Sequence, residues 1–355
     1  MSTTHPMLAC PVVSLVPRLT PGSSFAGRFR VLEYIGQGSM GSVYRVEPLC
    51  GGEPVALKLV GLDVTADGRA LRRFEREVET GSKLRSPYVA AILESGKLDE
   101  RLAWLTMEFA PGVGLERVLG GRLASRELGL KLLGQLFQAL AAAHAEGIVH
   151  RDLKPENIRV SGEGEAAQLK VLDFGIAKHQ DSASLSLTAP GLGTPLWAAP
   201  ELSRAGVKPT PSADVWSLGL LSFFVLTGHL YWRHASERAS VADLALELLR
   251  AEIAPPSLRA AELGLNVAWP PGFDAWFTRA VHRDPGARFR SAGEAWAELE
   301  PLLSEPAVTQ QLANVASSLP RAPPIVVSGR FLTVVILSCI GTGLAIYWLL
   351  RSMRI

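Results

Sequence analysis

One stretch constrains this chain more than any other: His150-Arg151-Asp152-Leu153-Lys154-Pro155-Glu156-Asn157, followed after a short polar excursion by Asp173-Phe174-Gly175. Two carboxylates and an amide in this pattern suit phosphoryl transfer, where a protein mainly positions reactants and neutralises charge. Asp152 can accept a proton from an attacking hydroxyl. Asn157 and Asp173 offer the hard oxygen donors that Mg²⁺ takes. A lone tripeptide of this kind could be an acidic surface turn, but eight residues in register with a second motif are far more specific.

The preceding residues read as a strand-rich region. Arg28–Tyr34 has the character of a strand and leads into Ile35-Gly36-Gln37-Gly38-Ser39-Met40-Gly41-Ser42-Val43-Tyr44. Glycines at 36, 38 and 41 let a backbone approach phosphate oxygens without Cβ atoms in the way. The spacing alone is shared with dinucleotide-binding folds, which open a helix at this point. Here Ser42-Val43-Tyr44-Arg45-Val46 alternates and reads as a strand, which favours a strand–turn–strand flap. Pro54–Val60 is a further strand carrying Lys58, a cation that is costly to bury unless paired. Leu71–Leu84 supplies a helix with Glu75, Glu77 and Glu79 as carboxylates within reach. Leu102–Glu108 is an apolar strand, and the change to Phe109-Ala110-Pro111-Gly112 marks a hinge. Leu128–Glu146 is an apolar helix ending at Gly147, a glycine suited to a helix C-terminus.

Taken in order, these motifs resemble those of eukaryotic-type (Hanks-type) bacterial serine/threonine protein kinases over roughly residues 29 to 300. The resemblance implies an α+β, bilobal protein-kinase-like fold spanning 29–303. A small β-rich N-lobe would occupy 29–108 and a large helical C-lobe 111–303. It also implies ATP with Mg²⁺, or Mn²⁺ in its place, and protein Ser/Thr hydroxyls as acceptors. Asp152 is then the base and Lys154 steadies the transferred phosphoryl group. Lys58, paired with Glu77 in preference to Glu75 or Glu79, orients the α- and β-phosphates. Asn157 and Asp173 hold the metal. Ile35, Gly36, Gly38, Gly41 and Val43 form the flap over the nucleotide. Ala56, the gatekeeper Met107 and the backbones of Glu108 and Ala110 surround the adenine.

The same resemblance implies a buried pair between Glu201 and Arg288, and an Asp214 that holds the catalytic-loop backbone. Gly193-Thr194-Pro195 would dock the acceptor peptide. Arg151 would pair a phosphate on the loop after Asp173, with Thr188 as the favoured position and Ser182, Ser184 and Ser186 behind it. One position departs from the family. Arg159 stands where an aliphatic residue usually floors the adenine pocket, which raises either a weakened nucleotide site or an Arg stem under the base with its guanidinium at solvent. A rival to the enzyme is therefore a pseudokinase that serves as a membrane-tethered scaffold. Such proteins typically lose the equivalents of Lys58, Asp152 or Asp173, and all three are present.

Composition narrows the rest. A formal charge of +2 leaves no footprint for nucleic acid, and the three cysteines are too few and scattered for a disulfide framework. Residues 1–28 read as a flexible extension and 304–330 as a linker. Phe331–Leu350 is then a run of twenty residues without a formal charge, FLTVVILSCIGTGLAIYWLL, long enough for a transmembrane helix, with 351–355 a short tail. Arginines flank both ends, so orientation comes from function, with the kinase domain expected in the cytoplasm. Gly341 and Ala345 form a small-xxx-small pair, which a homodimer could use but which ordinary membrane composition explains more often.

Overall fold

The computed structural model describes residues 16–38, 41–62, 69–174, 196–204, 206–235 and 240–304. The run 331–350, the segment 193–195 and the phosphorylation candidates Ser182, Ser184, Ser186 and Thr188 lie outside them.

The first lobe is a twisted antiparallel sheet with one helix on it. Its strands are β1 (Ser24–Phe25), β2 (Phe29–Gly38), β3 (Gly41–Pro48), β4 (Val55–Gly61), β5 (Ile92–Lys97) and β6 (Leu102–Glu108), with helix α1 (Arg69–Lys83) between β4 and β5. Their spatial order is β1-β2-β3-β4-β6-β5. The central strands read VALKLVG and LAWLTME and are buried along nearly their whole length, as continuous apolar runs should be when both faces are covered. One face packs Tyr44, Leu57 and Leu59 against Trp104. The other packs Ala56, Leu105 and Met107 against Phe74 and Val78, which lie four apart on α1 and so share one helix face.

The lobe begins earlier than expected. Val16 and Leu19 pack onto the Trp104 face, and the Leu19 N–H donates to the Tyr44 hydroxyl at 3.1 Å. Phe25 is buried edge-on to Trp104, and β1 pairs with β2 through Ser24↔Arg30 and Phe25↔Phe29. Val16 and Leu19 therefore pack on this sheet and Ser24–Phe25 join it, covering an aromatic face that would otherwise meet water, so this part of the expected extension belongs to the lobe.

The second lobe is helical around a small sheet. Strand β7 (Val113–Gly114) is followed by α2 (Leu115–Leu119) and α3 (Arg126–Ala145), then by β8 (Ile158–Ser161) and β9 (Gln168–Val171). The helices α4 (Pro211–Thr227), α5 (Val241–Arg250), α6 (Pro256–Glu262), α7 (Phe273–Ala280) and α8 (Ala292–Ser304) complete it. Ser125 caps α3 by accepting the Leu128 N–H at 3.2 Å, and Gly147, at φ 71°, follows its end as expected. Helix α4 starts with Pro211 in its first turn and is buried on nearly every side, so the apolar run 218–226 is core. Among the described residues no helix is long and apolar enough to cross a membrane. Trp276 is buried, and Trp269 and Trp296 pack partly buried against the same core.

Candidate active site

The catalytic loop hangs from one buried carboxylate. Asp214, in the first turn of α4 and 1% exposed, accepts the His150 N–H at 2.7 Å and His144 Nε2 at 2.9 Å on one oxygen. Its other oxygen accepts the Arg151 N–H at 2.9 Å. His144 Nδ1 accepts the Ala292 N–H at 3.1 Å, so the proton of its neutral ring belongs on Nε2, facing Asp214.

His150 joins the two motifs. Its Nδ1 accepts the Asp152 N–H at 3.3 Å, and Nε2 donates to the Leu172 carbonyl at 2.9 Å, one residue before Asp173. The acceptance at Nδ1 requires the neutral ring, with its proton on Nε2. Burial pushes the pKa of His150 below its ordinary value, against the opposing pull of Asp214 and Asp152. The Phe174 ring lies 4.7 Å from the imidazole. Leu172 also donates its N–H to the Asn157 carbonyl at 2.8 Å. The Asn157 side-chain amide donates to the Asp152 carbonyl at 2.8 Å, which turns its oxygen the other way. Asp152, Asn157 and Asp173 are thus tied into one unit, and Lys154 Nζ lies 3.4 Å from Asp152 Oδ2.

Asn157 and Asp173 are the residues that could hold a divalent cation. Among the described residues no group of three or more His, Cys, Asp or Glu could hold a metal. Two oxygen donors fit an ion that keeps waters and shares a substrate's phosphates.

The opposite wall of the cleft differs from expectation. Lys58 is 7% exposed, as a paired strand lysine should be, but the carboxylate beside it among the described residues is Asp173, at 2.8 Å. Glu77 instead lies 3.7 Å from the Arg151 guanidinium. The expected Lys58–Glu77 pair is therefore not the arrangement seen. Each cation takes a nearer acid, and Asp173 satisfies the ammonium that has to be neutralised inside the cleft. Glu75 is exposed and Glu79 pairs with Lys83 at 3.0 Å on the outer face of α1, in keeping with solvated charges.

The roof is the expected flap. β2 and β3 pair through Gly36↔Val43 and Gly38↔Gly41, and Val43 stands opposite Lys58. A Cβ on Gly41 would overlap the Leu59 carbonyl, so only glycine lets the flap lie this close to β4. The Ser42 hydroxyl donates to the Gln37 side chain at 2.8 Å, a cross-strand bond at the flap that the motif did not reveal. Ile35 keeps 45% of its surface exposed at the entry to the flap.

At the hinge, Met107 is buried and stands opposite Ala56. Ala110 is buried too. The Glu108 N–H is committed to the Ala91 carbonyl at 2.8 Å, so a base meeting Glu108 would use its carbonyl. The Arg159 guanidinium donates to the Gly112 carbonyl at a solvent-exposed position. Farther away, Arg288 clasps Glu201 through two 2.7 Å bonds, the buried pair anticipated for these positions.

A protein kinase domain model matches residues 29–268. The chain is 32% identical over 281 residues to the serine/threonine-protein kinase PrkC of Bacillus subtilis, covering 79% of this chain and 41% of that protein. It is 33% identical over 285 residues to pkn3 of Myxococcus xanthus, covering 79% and 50%. For PknA of Mycobacterium tuberculosis the figures are 33% over 279 residues, covering 77% and 60%. The chain thus spans about half the length of the curated relatives it matches. In fold it is similar to the kinase domain of Mycobacterium tuberculosis PknI, with a TM-score of 0.61 at 24% identity over 81% of this chain and all of that one. With the bilobal architecture and the linked Asp152, Asn157 and Asp173 in place, these matches put the chain in the protein kinase family, beside the Hanks-type serine/threonine kinases of bacteria.

Proposed function

We propose that the chain is an ATP-dependent serine/threonine protein kinase, tethered to a membrane and controlled by phosphorylation of the loop after Asp173. One observation carries the catalytic part: His150 and Asn157 tie Asp152 to Leu172, the residue before Asp173, in one hydrogen-bonded unit, and Asp173 itself meets Lys58. Asp152 takes the proton of an acceptor hydroxyl as its oxygen attacks the γ-phosphorus. The bond from that phosphorus to the bridging oxygen breaks, and ADP leaves. Lys58 orients the α- and β-phosphates, and Lys154 beside Asp152 steadies the moving phosphoryl group. Mg²⁺, held by Asn157 and Asp173, would neutralise charge on the phosphate oxygens. Val43, Ala56, Met107 and the hinge backbones would receive the adenine under the flap.

The regulatory part rests on Arg151. Its guanidinium is at Glu77 in this structure, and a loop phosphate would compete for it with about twice the charge. Glu77 would then lose its Arg151 contact and could turn toward Lys58. The tether rests on the uncharged run 331–350, which at about 1.5 Å per residue matches a hydrocarbon core of roughly 30 Å. The kinase domain would face the cytoplasm, where ATP is, and Gly341 with Ala345 would serve a homodimer.

The test is transfer of label from γ-labelled ATP by the full chain in detergent, with Lys58→Met and Asp152→Asn beside it. Incorporation by the parent and a drop of at least about 10³-fold in both variants is expected. A folded parent that binds nucleotide without transferring label, whatever activator is added, would favour the scaffold reading instead. Residues 331–350 are tested separately, by whether the chain resists alkaline extraction from membranes.

A further inference from the structure

Two cations side by side on one small sheet fasten the hinge to the second lobe. Arg159 on β8 and Lys170 on β9 are register partners. Their neighbours Ile158, Val160, Leu169 and Val171 belong to the core of the second lobe. Side chains alternate along a strand, so Arg159 and Lys170 project from the other face. That face meets the hinge. The Lys170 ammonium lies 2.8 Å from Glu108 Oε2, and the Arg159 guanidinium donates to the Gly112 carbonyl. The two contacts bracket residues 108–112. Gly112 adds a third tie, because its φ is 93° and a Cβ there would stand 2.1 Å from the Val160 carbonyl. The end of the hinge therefore lies flat against β8.

We propose that Arg159 and Lys170 are nucleotide-positioning residues that act through the hinge. They hold the backbone between Glu108 and Ala110 in shape before a purine reaches it. This rests on the ATP-dependent reading above. A hinge free to sample conformations would have to be ordered when the nucleotide binds, and that ordering would subtract from affinity. A hinge fastened at both ends is ordered on folding. Neither cation has a described contact with Asp152, Asn157 or Asp173, so the effect falls on binding rather than on phosphoryl transfer.

The test compares the full chain with Arg159→Met, Lys170→Met, the double variant and Arg159→Lys. Methionine keeps the apolar stem and removes the donor, whereas Lys can still donate to the carbonyl. The first readout is the dissociation constant for a non-hydrolysable ATP analogue, which needs no catalysis. The second is amide hydrogen exchange across 108–112 without nucleotide, and the third is kcat. The double variant should bind about tenfold more weakly and exchange its hinge amides faster, with kcat within about twofold. Arg159→Lys should recover most of the binding. Unchanged affinity in the double variant would overturn the proposal, as would a kcat that falls while affinity holds. A parent that binds no nucleotide would instead sink the ATP-dependent reading, a distinct result.

Discussion

The catalytic loop and the α1 side of the cleft face each other across a few ångströms and are held by different means. The loop depends on Asp214, buried and accepting three donors, and on His150, buried and bonded through both nitrogens. The link from α1 to this loop is an ion pair whose members remain partly open to water, with Glu77 21% and Arg151 24% exposed. Buried, multiply bonded groups are settled when the chain folds, because leaving any donor without an acceptor is costly. A single pair of this kind, with no second contact beside it, contributes little and can exchange partners. The base and the metal ligands are therefore built in, while the partner of Lys58 is left adjustable.

The sharpest way to break this contrast is Asp214→Ala. Three buried donors would lose their acceptor, and a loss of about 3–5 kcal/mol in chemical denaturation is expected. A loss below about 1 kcal/mol would mean the loop is not held from α4. Next comes Glu77→Gln, which should leave stability within about 1 kcal/mol yet lower phosphotransfer about 10²-fold through misplaced phosphates. Equal damage to stability and transfer would erase the difference between the two walls.

The smallest effect is a pH slope. Burial lowers the pKa of His150 in the folded state, so below about pH 6.5 the unfolded chain takes up a proton that the folded chain refuses. The stability tied to the neutral ring is present above about pH 6.5 and declines as pH falls toward the lowered folded value. Denaturation midpoints between about pH 7 and 5 should fall less steeply in His150→Asn than in the parent, by up to about 1.4 kcal/mol per pH unit. Parallel slopes would show that His150 is not a neutral strut.

Much of this architecture was legible because motifs of unlike chemistry occur in a fixed order. The glycine flap, Lys58, the hinge and the 150–157 stretch each locate an element, and β2, β3, β4, β6 and α3 fall where strand and helix patterns place them. What was not legible depends on distance. The family resemblance singles out Glu77 on α1, but it does not weigh Asp173, more than a hundred residues beyond Lys58, as that lysine's acid. Leu19 and Phe25 are single apolar anchors separated by Pro21 and Gly22, so residues 16–28 carry no strand or helix period to betray them. For Arg159, the pairing of β8 with β7 brings a carbonyl within reach, and no sequence pattern states that.

Three described residues other than glycine have left-handed backbone, and two of them, Arg151 at φ 66° and Asp173 at φ 53°, sit in the site. Each is held there at a cost of about 1–3 kcal/mol by the bonds around it. Glycine would adopt both conformations without strain. Replacing either residue with glycine would relieve the backbone while deleting a charge on which the proposed chemistry depends. A screen of variants for heat resistance alone would therefore tend to enrich glycine at position 151, whose ion pair is partly exposed, and not at Asp173, whose loss would leave the buried Lys58 ammonium without its acid. Arg151 is retained against the backbone's own preference, and only selection for turnover would keep it.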